Sequence, residues 1–348
     1  MSIVNTLNIG LYNQAHPMGI NDVIKELLSY YDEQRNIPEY DKISGFEAAG
    51  RSIRDVFEQH QCTGKIMLPF ADEKNRIPQD NTMYPITLTR ERIFTRLTVL
   101  DSLFFTQLNK DYYIKQYITE AIWAACDDGK GGHSDAVLAN KANNYIDWVI
   151  NQYTPAPQQQ KEIAEIENLI YGRYPWVKRT KDHKRTALSL ITKYLHYLVE
   201  AVHPTDTFGF PIYDSLVVSV LPMVYAYVTG KNIMKDFPNA TKNIQQHPYA
   251  DYVRALYRIL KQLKKANNAA DVWNDPMQYM TDFHILDIFM WHLGKVYDAK
   301  GQYDKLWMLT TPKEFENMLN SGQIAPHLKS LEDLADKIEK HYVTLQNK

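Results

Sequence analysis

At 348 residues the chain exceeds the usual size of one domain, so one large or two modest domains are expected. Hydrophobic residues make up 45% of it, enough for a sizeable core, while a formal net charge of −2 excludes a global basic field advertising nucleic-acid affinity. The two cysteines, Cys62 and Cys126, are far apart and lack CxxC spacing, which excludes a disulfide scaffold and a cysteine zinc site and fits a reducing cytosol.

The opening MSIVNTLNIGLYNQ has neither a basic n-region nor an apolar h-region, so no signal peptide is expected. Residues 21–34 and 46–60 read as amphipathic helices. Between Gly64 and Pro85 the composition shifts to Pro, Asp and Asn, the mark of a linker or long loop. From Thr89 a helix is expected through TRERIFTRLTVLDSLFFTQL, followed by KDYYIKQYITEAIWAAC, which the glycine-rich DDGKGG stops. SDAVLANKANNYIDWVINQY ends before Pro155 and Pro157. KEIAEIENLIYGRY, TALSLITKYLHYL, YDSLVVSVLPMVYAYV, ADYVRALYRILKQLKKA and FHILDIFMWHLGKVYDA continue the helical series, and a helix pair near 312–319 and 330–345 closes it. Strand-like alternation is nearly absent, and no fixed-period repeat appears. The longest apolar stretch, Leu216 to Val228, contains Pro222 and is too short to span a membrane. The expectation is an all-α, soluble, cytoplasmic protein: a helical extension and linker over 1–85, a core over 86–300 and a helical extension over 301–348.

Chemistry concentrates between residues 185 and 217. Lys193 lies on an apolar helical run, and Asp214 follows the extended Phe210-Pro211-Ile212-Tyr213. A buried amine beside a carboxylate can attack a sugar carbon. Lys193 and Tyr197 share a helix face at i, i+4, as do Asp287 and Trp291. Asp214 also suits a helix N-terminus, where a carboxylate caps. Arg173, Lys178, Arg179, Lys181, Lys184 and Arg185 form a basic segment interleaved with Tyr174 and Trp176, a candidate phosphate-gripping platform. Arg254, Arg258, Lys261, Lys264 and Lys265 form a helical stripe that would extend it. His183, His196 and His203 show no metal-ligand spacing.

These segments resemble the helix-hairpin-helix DNA glycosylase superfamily, most closely its archaeal 8-oxoguanine DNA glycosylase branch, over roughly residues 90–300. There a helical lysine is followed four residues on by an aromatic, as in Lys193 and Tyr197. A proline-containing extended segment leads to the essential aspartate, matching Asp214, and a late Asp-x-x-x-Trp grips the base, matching Asp287 and Trp291. Thr106-Gln107-Leu108 stands where the branch carries Tyr-Gln-Leu. The chain is also similar to uncharacterised bacterial proteins that share Lys-Tyr-x-His, Pro-Ile-Tyr-Asp-Ser and a late Trp-x-x-Gly-Lys. The superfamily's glycine-rich phosphate hairpin has no counterpart in RTALSLITK, and the lysine-to-aspartate gap is shorter than in the archaeal branch.

The resemblance implies a two-lobed helical core with extra N- and C-terminal helices, acting on duplex DNA without metal or organic cofactor. It implies base flipping, because the glycosidic bond is unreachable inside the stack. Tyr197 and Trp291 would sandwich the extruded base while Asp287 and Gln107 read its polar edge. Asp214 would stabilise the cationic sugar, and Lys193 would attack C1′ to form a Schiff base, permitting strand cleavage. The base would be an 8-oxoguanine-like lesion or an enzymatically modified base, including one in phage DNA, where the role would be defence. Two other readings stand beside this one: a catalytically inert nucleic-acid- or protein-binding relative, and a HEPN-type ribonuclease prompted by Arg54 and His60.

Overall fold

A computed structural model describes residues 16–30, 88–104, 112–174, 185–203, 208–241, 249–273, 280–299, 320–321 and 326–347. Among them the chain is all-α apart from one pair of two-residue strands. The helices are α1 (16–30), α2 (Arg90–Phe104), α3 (Tyr112–Ala125), α4 (Asp135–Asn151), α5 (Pro157–Tyr171), α6 (Leu188–Val202), α7 (Ser215–Thr229), α8 (Ile233–Asp236), α9 (Tyr249–Leu263), α10 (Ala270–Trp273), α11 (Asp282–Ala299) and α12 (Pro326–Gln346). The short helices α8 and α10 carry too few residues to leave a periodic signature, and the sequence reading missed both. No helix among the described residues is long and apolar enough to cross a membrane. The expected helices over 46–60 and 312–319, together with Arg54, His60 and His183, lie outside the described residues.

The chain divides into two compact units. One is drawn from Ala49–Tyr145 and Pro155–Pro204. Thr89 starts α2 as expected, its hydroxyl accepting from the Arg92 amide at 3.3 Å. Asp127 to Gly132 then turn the chain out of α3, with Asp128 Oδ1 accepting from the Lys130 and Gly132 amides at 2.7 and 2.9 Å. A buried ion pair fastens this unit. Arg96, 1% exposed, makes a bidentate bond to Asp135 at 2.7 and 2.8 Å, and donates to the Tyr194 hydroxyl on α6. Such a pair is costly to break because one charge would remain buried. A second pair, Lys115 to Asp101 at 3.1 Å, joins α3 to α2. The strands β1 (Arg173–Tyr174) and β2 (Arg185–Thr186) pair antiparallel, Arg173 opposite Thr186, and lead into α6.

The other unit is drawn from Met1–Ala48, Ile146–Thr154 and Thr205–Lys348. Its core is α7, α9, α11 and α12, with α7 packed on the other three. On α9 one face, Tyr249, Tyr252, Val253, Leu256, Ile259, Leu260 and Leu263, is buried, while charged residues occupy the opposite side. Two glycines set the packing. Gly294 of α11 touches α7 so closely that an added Cβ would stand 3.0 Å from Leu216 Cβ and 3.2 Å from its carbonyl oxygen. Gly209 has φ +83, and the Thr281 side chain fills the space a Cβ would need. Asn21 anchors α1: its amide donates to the Leu263 carbonyl at 3.0 Å and to Asn268 at 3.1 Å, and its oxygen accepts from the Trp273 indole at 3.1 Å.

Gly209→Ala should lower stability by about 2 kcal/mol or more, since it adds both positive-φ strain and overlap with Thr281. Gly294→Val should lower it by about 1–3 kcal/mol through the α7 contact. Urea titration checks both, and a wild-type midpoint in either variant would show that the close approach is not tight.

His292 of α11 should make this unit acid-sensitive. Its Nδ1 lies 2.7 Å from the Ile288 carbonyl, and burial, with His327 adding to the effect, pushes its pKa down to about 4. An unfolded histidine titrates near 6.5, so on acidification the unfolded chain takes up the proton first. Stability should therefore be full above about pH 6.5 and fall by up to about 3 kcal/mol toward pH 4. Removing the imidazole with His292→Gln should flatten that decline by up to one proton. Identical pH slopes for the two proteins would assign the acid sensitivity to other groups.

Candidate functional site

The candidate residues sit in different local settings. Asp214 belongs to the unit built on α7, where it is the N-cap of that helix. Its backbone is extended at φ −126 and ψ 142, and its Oδ1 accepts from the Leu216 amide at 2.9 Å. The bond satisfies one of the donors a helix start leaves open, and the helix dipole favours the negative charge there.

What holds Asp214 in place comes from the segment before it. Phe283 at the start of α11 donates its amide to the Phe208 carbonyl at 2.9 Å. The Tyr249 hydroxyl donates to the Pro211 carbonyl at 2.5 Å and the Tyr252 hydroxyl to the Ile212 carbonyl at 2.6 Å. Both tyrosines are fully buried on one face of α9. The Phe210 and Tyr249 rings stack at 5.8 Å, and Tyr213 meets Tyr252 edge-on at 5.3 Å. Proline supplies no N–H, so at Pro211 the chain can be fixed only through its carbonyl.

Asp287, 8% exposed, lies on α11 one turn before Trp291. Burial, then the charges of Asp287 and Asp214, then Tyr213, all raise the Tyr252 pKa well above its ordinary value. Two carboxylates therefore bear on one buried phenol, which stays a proton donor at every ordinary pH. Tyr213 is itself pushed up to about 12, first by burial and then by Asp214. Trp291 is half-buried, with the Lys295 ammonium 5.2 Å from its ring centre and His292 edge-on at 5.2 Å. A stacking partner for Trp291 would share the ring with Lys295 or displace it.

Lys193 and Tyr197 belong to the other unit, on α6, a helix buried almost all round. Lys193 is 3% exposed, and its amine donates to Ser189 Oγ at 3.1 Å, reaching back one turn rather than forward to Tyr197. Tyr197 is 3% exposed and meets His196 edge-on at 5.0 Å, so a base can stack on it only where that packing opens. Ser189, Lys193, His196 and Glu200 line one face of α6 as a polar stripe within an otherwise apolar helix. The ligand atoms of His196 and Glu200, one turn apart and both buried, lie within 4.8 Å of each other and could supply two ligands to a cation. The sequence reading dismissed His196 and did not weigh Glu200. The i, i+4 spacing of the two on the lysine helix was the available signal.

Of the basic platform, Arg173 lies on β1 and Arg185 on β2, so the two strands bracket residues 175–184. Lys178, Arg179, Lys181 and Lys184 lie outside the described residues, as does Gln107. The stripe on α9 is largely engaged. Arg254 bonds the Val149 carbonyl and Asp251, Arg258 bonds Asp236 and the Tyr225 hydroxyl, and Lys264 bonds Asp282. A separate polar pocket of about 330 Å³ is lined by Asp127, Asp128, Asn140, Lys141 and Glu162. Lys141 is held there by Glu165 at 2.7 Å and by the Ala125 carbonyl at 2.8 Å, and none of the sequence-predicted residues lines it. Compared with known proteins, the chain matches no family model, no curated protein and no solved structure.

Capping and charge at Asp214 can be separated experimentally. Asn caps about as well as Asp, whereas Ala costs about 0.5–2 kcal/mol at an N-cap. Asp214→Asn should therefore melt close to wild type and Asp214→Ala clearly below it. Equal losses in both would mean that the carboxylate charge, not the cap, stabilises the start of α7.

Proposed function

We propose that the protein is a DNA glycosylase that releases a modified or damaged base from flipped-out nucleotides, either an 8-oxoguanine-like lesion or an enzymatically modified base. The observation that carries this reading is the way Asp214 is held. A carboxylate stands at a helix start, at the end of an extended segment fixed by buried hydrogen bonds, with the charges of Asp214 and Asp287 focused on one phenol. Such a carboxylate needs no rearrangement before the glycosidic bond weakens, and preorganised charge is the main resource for stabilising a cationic sugar.

In this reading Lys193 attacks C1′ as the base leaves, and the resulting Schiff base allows a later strand break. Support comes from an amine kept from bulk water and oriented by Ser189. Trp291 is the better stacking surface for the base, being half-buried where Tyr197 is closed over. Asp287 reads the base's polar edge, since a buried carboxylate accepts from ring or exocyclic N–H groups. Backbone phosphates engage the basic segment that β1 and β2 bracket. Excision of modified bases from phage DNA, a defence role, is the biological setting this reading suggests.

The experiment incubates the full chain with duplexes containing 8-oxoguanine and with phage DNA carrying modified cytosines, then scores base release and borohydride trapping. Wild type should release base and be trapped covalently; Lys193→Gln should fail to trap. Asp214→Asn should lose base release while remaining folded. Release without trapping, with substantial activity in Lys193→Gln, would replace the lysine nucleophile by water. Full release by Asp214→Asn, or none by wild type on any of these DNAs, would leave an inert binding relative as the better reading.

A further inference from the structure

We propose that Tyr252, supported by Tyr249, is the positioning residue for the Asp214 carboxylate, an inference that rests on the glycosylase reading for its catalytic half. Neither tyrosine touches a reacting atom in this assignment. Both act through the backbone that delivers Asp214.

Four observations carry it. First, residues 210–213 form no strand or helix with any described residue, and the Pro211 and Ile212 carbonyls take their bonds from side chains instead. Second, those donors are two phenols three residues apart on the buried face of α9, and they engage consecutive carbonyls, Pro211 and Ile212. Third, the Ile212 carbonyl lies only two residues before Asp214, so few rotatable backbone bonds separate the clamp from the carboxylate it serves. Fourth, upstream freedom is removed as well: Gly209 is packed against Thr281, and Phe208 is tied to Phe283.

The chemistry suits a permanent clamp. A phenol has one proton to donate, and that of Tyr252 is committed to the Ile212 carbonyl. Burial and the nearby Asp287 and Asp214 charges oppose its loss, so the bond persists across the working pH range. Removing the Tyr252 hydroxyl leaves a buried carbonyl unsatisfied and lets residues 212–214 shift, which at a reacting centre costs far more rate than affinity.

The test is Tyr252→Phe in the full chain, read in two ways. Amide exchange at Leu216, whose N–H is bound by Asp214, should rise about tenfold while the amides of α12 keep wild-type rates. In single-turnover assays on the 8-oxoguanine and modified-cytosine DNAs, base release should slow on the order of 100-fold with duplex affinity unchanged. Tyr249→Phe, one carbonyl further from Asp214, should show both effects more weakly. Unchanged Leu216 exchange, or a rise shared equally by α12, would overturn the clamp. A loss of affinity with the release rate intact would overturn its catalytic role. Absence of base release in wild type would remove the glycosylase reading and that catalytic half with it, while Leu216 exchange still decides the clamp on its own.

Discussion

In the unit built on α7, the surroundings of Asp214 rest on a helix contact tight enough that even a methyl group would have to shift its neighbour. Gly294 lets the backbone of α7 at Leu216 come against α11, and Leu216 is the residue whose amide Asp214 caps. The helix carrying Asp287 and Trp291 and the helix that Asp214 begins are thus registered at one point. A larger residue there would press directly on Leu216, the residue whose amide Asp214 caps. Because interiors are packed as densely as organic crystals, such pressure cannot be absorbed locally.

The buried polar groups of the chain fall into two kinds. Arg96 with Asp135, and Lys115 with Asp101, are paired ions that join one helix to another. The stripe on α6 is different: Ser189, Lys193, His196 and Glu200 place an alcohol, an amine, an imidazole and a carboxylate along one helix face. Four different functional groups along one face of a helix whose other residues, Thr192 apart, are apolar or Tyr are costly to desolvate unless they are hydrogen-bonded. Grouped on one face of α6, they are set apart from the apolar contacts the rest of that helix makes.

Much of the architecture was legible in the sequence because periodicity reports helices well. Thr89, the DDGKGG stop and Pro155 fixed boundaries that the structure reproduces within a residue or two, and α9 announced itself through its apolar face. The placement of Asp214 at a helix start was also readable, from the proline-bearing segment before it and the apolar run after it. Other features left no local signal. Tyr249 and Tyr252 look like ordinary core aromatics on α9, and only their hydroxyls' distant partners, some 40 residues earlier, give them meaning. Gly209 and Gly294 carry information only through the residues they touch. In the basic stripe over residues 254–265, Arg254, Arg258 and Lys264 carry internal bonds that charge counting does not foresee.

Asn21 has a bearing on kinship. Its amide gives two hydrogen bonds and accepts one, in a partly buried triangle with Asn268, Trp273 and the end of α9. An acid could not donate, a hydroxyl could not make all three bonds, and glutamine would need space for another methylene. The triangle thus constrains three positions spread over some 250 residues to particular side chains, whatever reaction the protein performs. A distant cousin whose surface residues have changed beyond recognition would still have reason to keep it. Ancestry could then be traced through a structural joint rather than through a functional site.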